Sequence, residues 1–116
     1  MAKKRNREIT VIESSGNVFA DIGLAEPEEE FAKAQLASCI RQVIKRQRIT
    51  QIIAAERMRI DQPKVSAIMN GRLANFSSER LMRLLTRLGQ DVEIIVRAKP
   101  RSRAHGQVRV TAEAQA

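Results

Sequence analysis

Histidine and cysteine are nearly missing from this chain, at one residue each, and tryptophan and tyrosine are missing altogether. With His105 and Cys39 alone, there is neither the ligand set of a zinc site nor a histidine-assisted nucleophile. A single cysteine builds no disulfide framework. Glycine is scarce, at five residues, and none of it forms a phosphate-cradling loop. These contents exclude the common enzyme classes, and no cofactor or metal is expected. No run of 18 apolar residues and no signal-peptide pattern occurs, which predicts a soluble, unexported protein without a membrane partner. A length of 116 residues predicts one domain with an arm and a tail. Its modest core is most easily completed by dimerising. Little chain remains for a sensor domain, so no small-molecule ligand is expected.

What is present is charge, unevenly placed. The net charge is +8. Residues 1–7 carry +4, residues 8–30 carry −7 with no Lys or Arg, residues 31–90 carry +9 and residues 91–116 carry +2. A cationic body therefore follows an anionic arm. Glu28, Glu29 and Glu30 complement the macrodipole at a helix start, but Glu8, Glu13 and Asp21 are left without that explanation.

The pattern divides the chain into four parts. Residues 1–7 read as a disordered basic end. Residues 8–26 form the acidic arm, opening on the short β-branched run EITVIE. Residues 27–99 form the helical body with a terminal strand. Residues 100–116 are polar and read as a disordered tail. Within the body, a long helix is predicted from Pro27 to about Arg48, with Ala32, Leu36, Cys39, Ile40, Val43 and Ile44 inward and Lys33, Arg41, Lys45 and Arg48 outward. A buried, inert thiol is the plain reading of Cys39. A later helix is capped by Ser77 or Ser78, buries Leu81, Leu84, Leu85 and Leu88, shows Arg80, Arg83 and Arg87 to solvent, and stops at Gly89. Phe31 and Phe76 fit the core. Residues 91–99, DVEIIVRAK, alternate as a strand.

Between the long helix and the later one lies ITQIIAAERMRIDQPKVSAIMNG, residues 49–71. It reads as two short helices joined by a tight turn. Thr50 can N-cap the first, with Gln51 at its start. Ala54 and Ala55 allow close helix crossing, and Met58 and Ile60 plug the turn. Asp61 can cap the second helix, where Pro63 is tolerated in the first turn. Val65 and Ile68 then face inward, leaving Gln62, Lys64, Ser66, Ala67 and Asn70 outside, and Gly71 stops the helix.

Short polar side chains on such a face suit base-edge reading in a major groove. Gln62 can form a bidentate pair with adenine, Lys64 can reach guanine or phosphate, Ser66 offers a hydroxyl and Ala67 a methyl for thymine. Gln51 and Asn70 are expected phosphate clamps, with Arg72 beyond the helix end and Arg48 adding a backbone contact. Thr50 and Pro63 complete the candidate set. Structural roles compete with these: Ser66 and Ala67 are also small enough for close packing, and Gln62 could merely be exposed.

This segment resembles the helix-turn-helix of the Xre family, the phage-repressor type of DNA-binding domain, through Ile49-Thr50-Gln51, Ala55, Ile60, Val65-Ser66, Ile68 and Asn70-Gly71. The resemblance implies a mainly α, lambda-repressor-like helical bundle that binds double-stranded operator DNA. One position departs from the pattern: Arg59 stands where the turn usually has glycine. Four further stretches resemble HigA-like antitoxins: residues 14–24 (SSGNVFADIGL), 61–66 (DQPKVS), 76–81 (FSSERL) and 88–94 (LGQDVEI). That resemblance spans about residues 9–99. It implies a bacterial cytoplasmic protein that neutralises a RelE/HigB-type ribonuclease toxin and represses its own operon. A stand-alone Xre-type repressor shares the helix-turn-helix pattern and is the alternative.

Two features point to partners. Val18, Phe19, Ile22 and Leu24 form an apolar group outside the predicted helices, near Glu13 and Asp21. With Ile9, Val11 and Ile12 they are the candidate partner-binding residues, as apolar anchors on an extended arm; Phe19 could equally fold back on its own helices. RelE-type toxins are generally basic, so the resemblance implies that an acidic arm would suit one. The strand over residues 91–99 cannot satisfy its own backbone groups. It must pair with residues 9–12, a second copy or another protein. A homodimer is expected, with Leu88, Val92, Ile94 and Val96 at its interface.

Overall fold

The protein is described by a computed structural model over residues 26–113. The basic end and most of the acidic arm, including Ile9, Val11, Ile12, Glu13, Val18, Phe19, Asp21, Ile22 and Leu24, lie outside the described residues.

Four helices form the body: α1 (Glu26–Gln47), α2 (Gln51–Met58), α3 (Gln62–Met69) and α4 (Ser78–Arg87). The long α1 packs mainly on α4, and α2 on α3. The core joins Leu36, Ala37, Ile40 and Ile44 of α1 to Met58, Val65, Ile68, Phe76, Leu81 and Leu84. The three later helices start as their sequences require. Thr50, Asp61 and Ser77 each adopt an extended backbone and accept a bond from the N–H three residues on, at 3.2, 3.2 and 3.0 Å. One orphan donor per helix is thereby satisfied.

All four helices end alike. An N–H bonds the carbonyl five residues back: Ile49 to Ile44, Ile60 to Ala55, Arg72 to Ala67 and Gln90 to Leu85. Each closure needs a left-handed residue just before it. Gly71 (φ 77°) and Gly89 (φ 85°) supply two of these, and Arg48 (φ 58°) and Arg59 (φ 61°) the others. The arginine at 59 thus takes the positive φ of the glycine it stands for, despite a Cβ clash with its own backbone.

Three placements differ from the sequence reading. Phe31 is 61% exposed, because its neighbours a turn away, Pro27 and Ala34, also face solvent. Lys33 is buried instead, at 6%. Its spacing to Leu36, Ala37 and Ile40 puts it in the core stripe, and its ammonium reaches out to Glu30 at 3.3 Å. The expected strand over residues 91–99 has no ladder within the single chain: no strand occurs among the described residues, and Ile94, Ile95 and Val96 stand exposed. A strand needs a ladder partner, and the described chain offers it none. Beyond Pro100 the expectation of disorder does not anticipate one contact. Val110 packs against the core, and its N–H bonds Gln35 Oε1 at 3.3 Å. Cys39 is half-buried where a buried thiol was expected, and the partial burial pushes its thiol pKa up.

Candidate nucleic-acid interface

Residues Arg59–Asp61 turn the chain between α2 and α3, and the turn brings the two helix starts together. Gln62 Nε2 donates to Gln51 Oε1 at 2.7 Å. These are the first residues of α3 and α2. The bond uses one of the two amide N–H groups of Gln62 and leaves its carbonyl oxygen and second N–H. Those are the two groups a glutamine needs for an adenine edge. The bond engages only the oxygen of the Gln51 amide, at the positive end of α2.

Around this pair the surface is polar and cationic. Pro63 and Lys64 are exposed, and Lys64 Nζ meets Asp61 Oδ2 at 3.4 Å, so the cap also steadies the lysine. Ser66 and Ala67 are half-buried, Ala67 packing against the core. Asn70 is exposed and folds back, its Nδ2 donating to Ser66 O at 2.9 Å. Arg72, Arg48 and Thr50 are exposed. Beside the start of α2 runs an open groove of ≈ 480 Å³, with Ile44 and Ile49 in its wall and Arg41, Lys45, Thr50 and Gln51 supplying polar groups. The candidate DNA-binding residues therefore gather near the starts of α2 and α3 and along the open side of α3. Among the described residues, no three His, Cys, Asp or Glu side chains converge to hold a metal ion. No described helix is long and apolar enough to cross a membrane.

Two positioning contacts had no signal in the sequence. Arg41, expected to be merely solvated, is half-buried and donates to Ile68 O at 3.2 Å, tying α1 to the end of α3. Arg87 Nη1 reaches Met58 O at 2.9 Å and ties α4 to the end of α2. The Arg87 bond satisfies a carbonyl that the helix end leaves unpaired, whereas Ile68 O takes Arg41 as a second donor beside the Gly71 N–H at 3.1 Å. The expected dimer residues divide. Leu88 is 3% exposed and belongs to the chain's own core, whereas Val92, Ile94 and Val96 lie on the surface.

Two short helices with facing N-termini, the second carrying an open polar side and packed under a long first helix, define a helix-turn-helix protein. A helix-turn-helix domain model matches residues 18–97. A solved structure named "Putative XRE Family Transcriptional Regulator" is 50% identical and superposes with a TM-score of 0.74, covering 77% of this chain and 100% of its own. The chain belongs to the Xre family of helix-turn-helix proteins. No curated protein matches it.

Proposed function

We propose that the chain is a sequence-specific, operator-binding repressor that also serves as the antitoxin of a RelE/HigB-like ribonuclease toxin. The observation that carries the DNA-binding half is the Gln62–Gln51 bond at 2.7 Å. It orients a base-reading amide and a phosphate-seeking amide as one unit. The +9 charge of residues 31–90 supplies the sequence-independent attraction. Gln62 and Lys64 read base edges, Ser66 and Ala67 line the groove wall, and Gln51, Asn70, Arg72 and Arg48 meet phosphates. Two copies read inverted half-sites about one helical turn, roughly 34–36 Å, apart. The residues after α4 pair as a strand in that dimer.

The antitoxin half rests on the −7 charge of residues 8–30 and on the apolar group Val18, Phe19, Ile22 and Leu24. An extended acidic segment with apolar anchors suits the sheet edge of a basic protein. A stand-alone Xre-type repressor is equally compatible with the helical body, and the name of the solved relative favours it.

Two titrations separate the readings. Fluorescence anisotropy against the chain's own promoter, beside a scrambled duplex at physiological salt, tests operator recognition; equal affinities would end the specificity claim. Calorimetry of the full chain, and of a form lacking residues 1–25, against the product of the adjacent gene tests the arm. Binding by the full chain alone supports the antitoxin. No binding by either leaves the plain repressor. Binding by both moves the partner site onto the helical body.

A further inference from the structure

Residues 91–99 leave α4 with their apolar side chains on the surface: Val92 is 36%, Ile94 67%, Ile95 64% and Val96 86% exposed. Read about Ile95, the segment is complementary to itself. Aspartate and glutamate stand four and two residues before it, and lysine and arginine stand four and two residues after it. We infer that residues 91–99 pair antiparallel with the same segment of a second copy, in the register that sets Ile95 opposite Ile95 of the partner copy. The inference rests on the dimer of the proposed function and fixes how that dimer is held.

The register follows from which residues then lie opposite one another. Asp91 meets Lys99, Glu93 meets Arg97, Val92 meets Ala98 and Ile94 meets Val96, each pair occurring twice by symmetry. Opposite charges and β-branched pairs placed directly across a ladder stabilise it, and like charges there destabilise it. Side chains alternate between faces. One face therefore carries Val92, Ile94, Val96 and Ala98, free to lie on the helical bodies. The other carries the four charges around Ile95, facing water.

The competing arrangements are worse. Parallel pairing in register sets Asp91 on Asp91 and Arg97 on Arg97. An antiparallel slip of one residue turns the apolar face of one strand onto the charged face of the other. A slip of two residues sets Ile95 against Arg97 or Glu93 and carries the ladder onto Pro100 or Gly89. Pairing with residues 8–13 brings a segment with glutamate at both ends against Asp91 and Glu93.

Sedimentation equilibrium on the full chain and disulfide trapping test this. Glu93→Arg and Arg97→Glu each replace attraction with repulsion at two sites, and each should weaken the dimer about tenfold. The double swap should restore affinity to within about threefold, because every opposite-charge pair is rebuilt in reverse. In a Cys39→Ala background, Ile95→Cys should give the most cross-linked dimer on mild oxidation. Directly opposed residues have Cα atoms about 4.5–5.5 Å apart, inside the disulfide range. Ile94→Cys or Val96→Cys alone should link poorly, and a mixture of the two should link well. Circular dichroism of each variant checks that the helices remain. A dimeric chain that links best at position 94 or 96 alone, or in which the double swap is as weak as the single changes, overturns the register and leaves the dimer standing. A wild-type chain that is monomeric at tens of micromolar overturns both.

Discussion

Gln62 and Gln51 are joined amide to amide at 2.7 Å, although eleven positions separate them. Two flexible side chains are thereby ordered before any nucleic acid arrives, which lowers the entropy that binding would otherwise cost. Gln62→Ala should relax preference at one base position, at roughly 1–3 kcal/mol against the best operator. Gln51→Ala should weaken binding as well, and the double change should cost less than the two single effects together. Anisotropy titrations over a set of single-base operator variants read both the loss and the coupling. Strictly additive losses would mean the two amides act alone.

Arg72 and Arg48 are both exposed, and the proposed function gives them phosphate contacts. Arg72→Ala should weaken operator and scrambled duplex by similar factors. It should also lower the slope of log affinity against log salt by about 0.9, one released counterion. Repeating the titrations between 50 and 200 mM salt, about the range over which such slopes are read, measures this directly. A loss confined to the operator would reassign Arg72 to sequence reading.

Arg59 and Arg48 hold left-handed backbone that glycine adopts without a Cβ penalty. Arg59→Gly should raise unfolding free energy by roughly 0.5–1 kcal/mol, even after the extra freedom glycine gives the unfolded chain. Gly89→Ala, at φ 85°, should lower it by a similar roughly 1 kcal/mol. Urea midpoints with unchanged slopes would register both shifts.

Ser78 is fully buried, and its hydroxyl has no hydrogen-bond partner among the described residues. Burial of an unpaired hydroxyl costs about 1–3 kcal/mol. Ser78→Ala removes that cost and leaves the cap at Ser77 intact. The variant should be more stable by about 1 kcal/mol, and its operator affinity should be unchanged. Thermal and urea unfolding beside an operator titration check the two halves of this expectation.

The helices and their caps were readable because each follows from local chemistry. Thr50, Asp61 and Ser77 accept their N–H bonds, and Gly71 and Gly89 turn the chain, where the sequence places them. Phe31 and Lys33 depart from expectation for a common reason: helical spacing outranks residue type, and the spacing of 33, 36, 37 and 40 carries the core stripe through a lysine. Arg41 and Arg87 were beyond reach. Each bonds a carbonyl on another helix 27 or 29 residues away, and no sequence period encodes that meeting. The strand signature over residues 91–99 is a property of the segment, whereas its ladder requires a second one.

Arg41 gives α1 a second task. The helix that receives the chain from the acidic arm at Glu26 is the same one that grips the last turn of α3 through Ile68 O. At 1.5 Å per residue, about 22 Å of helix axis separate Glu26 from Arg41. One rod thus joins the entry of the chain at Glu26 to the grip on α3. Were the proposed partner bound ahead of Glu26, operator titrations with and without the adjacent gene's product would read whether its capture is felt along that rod.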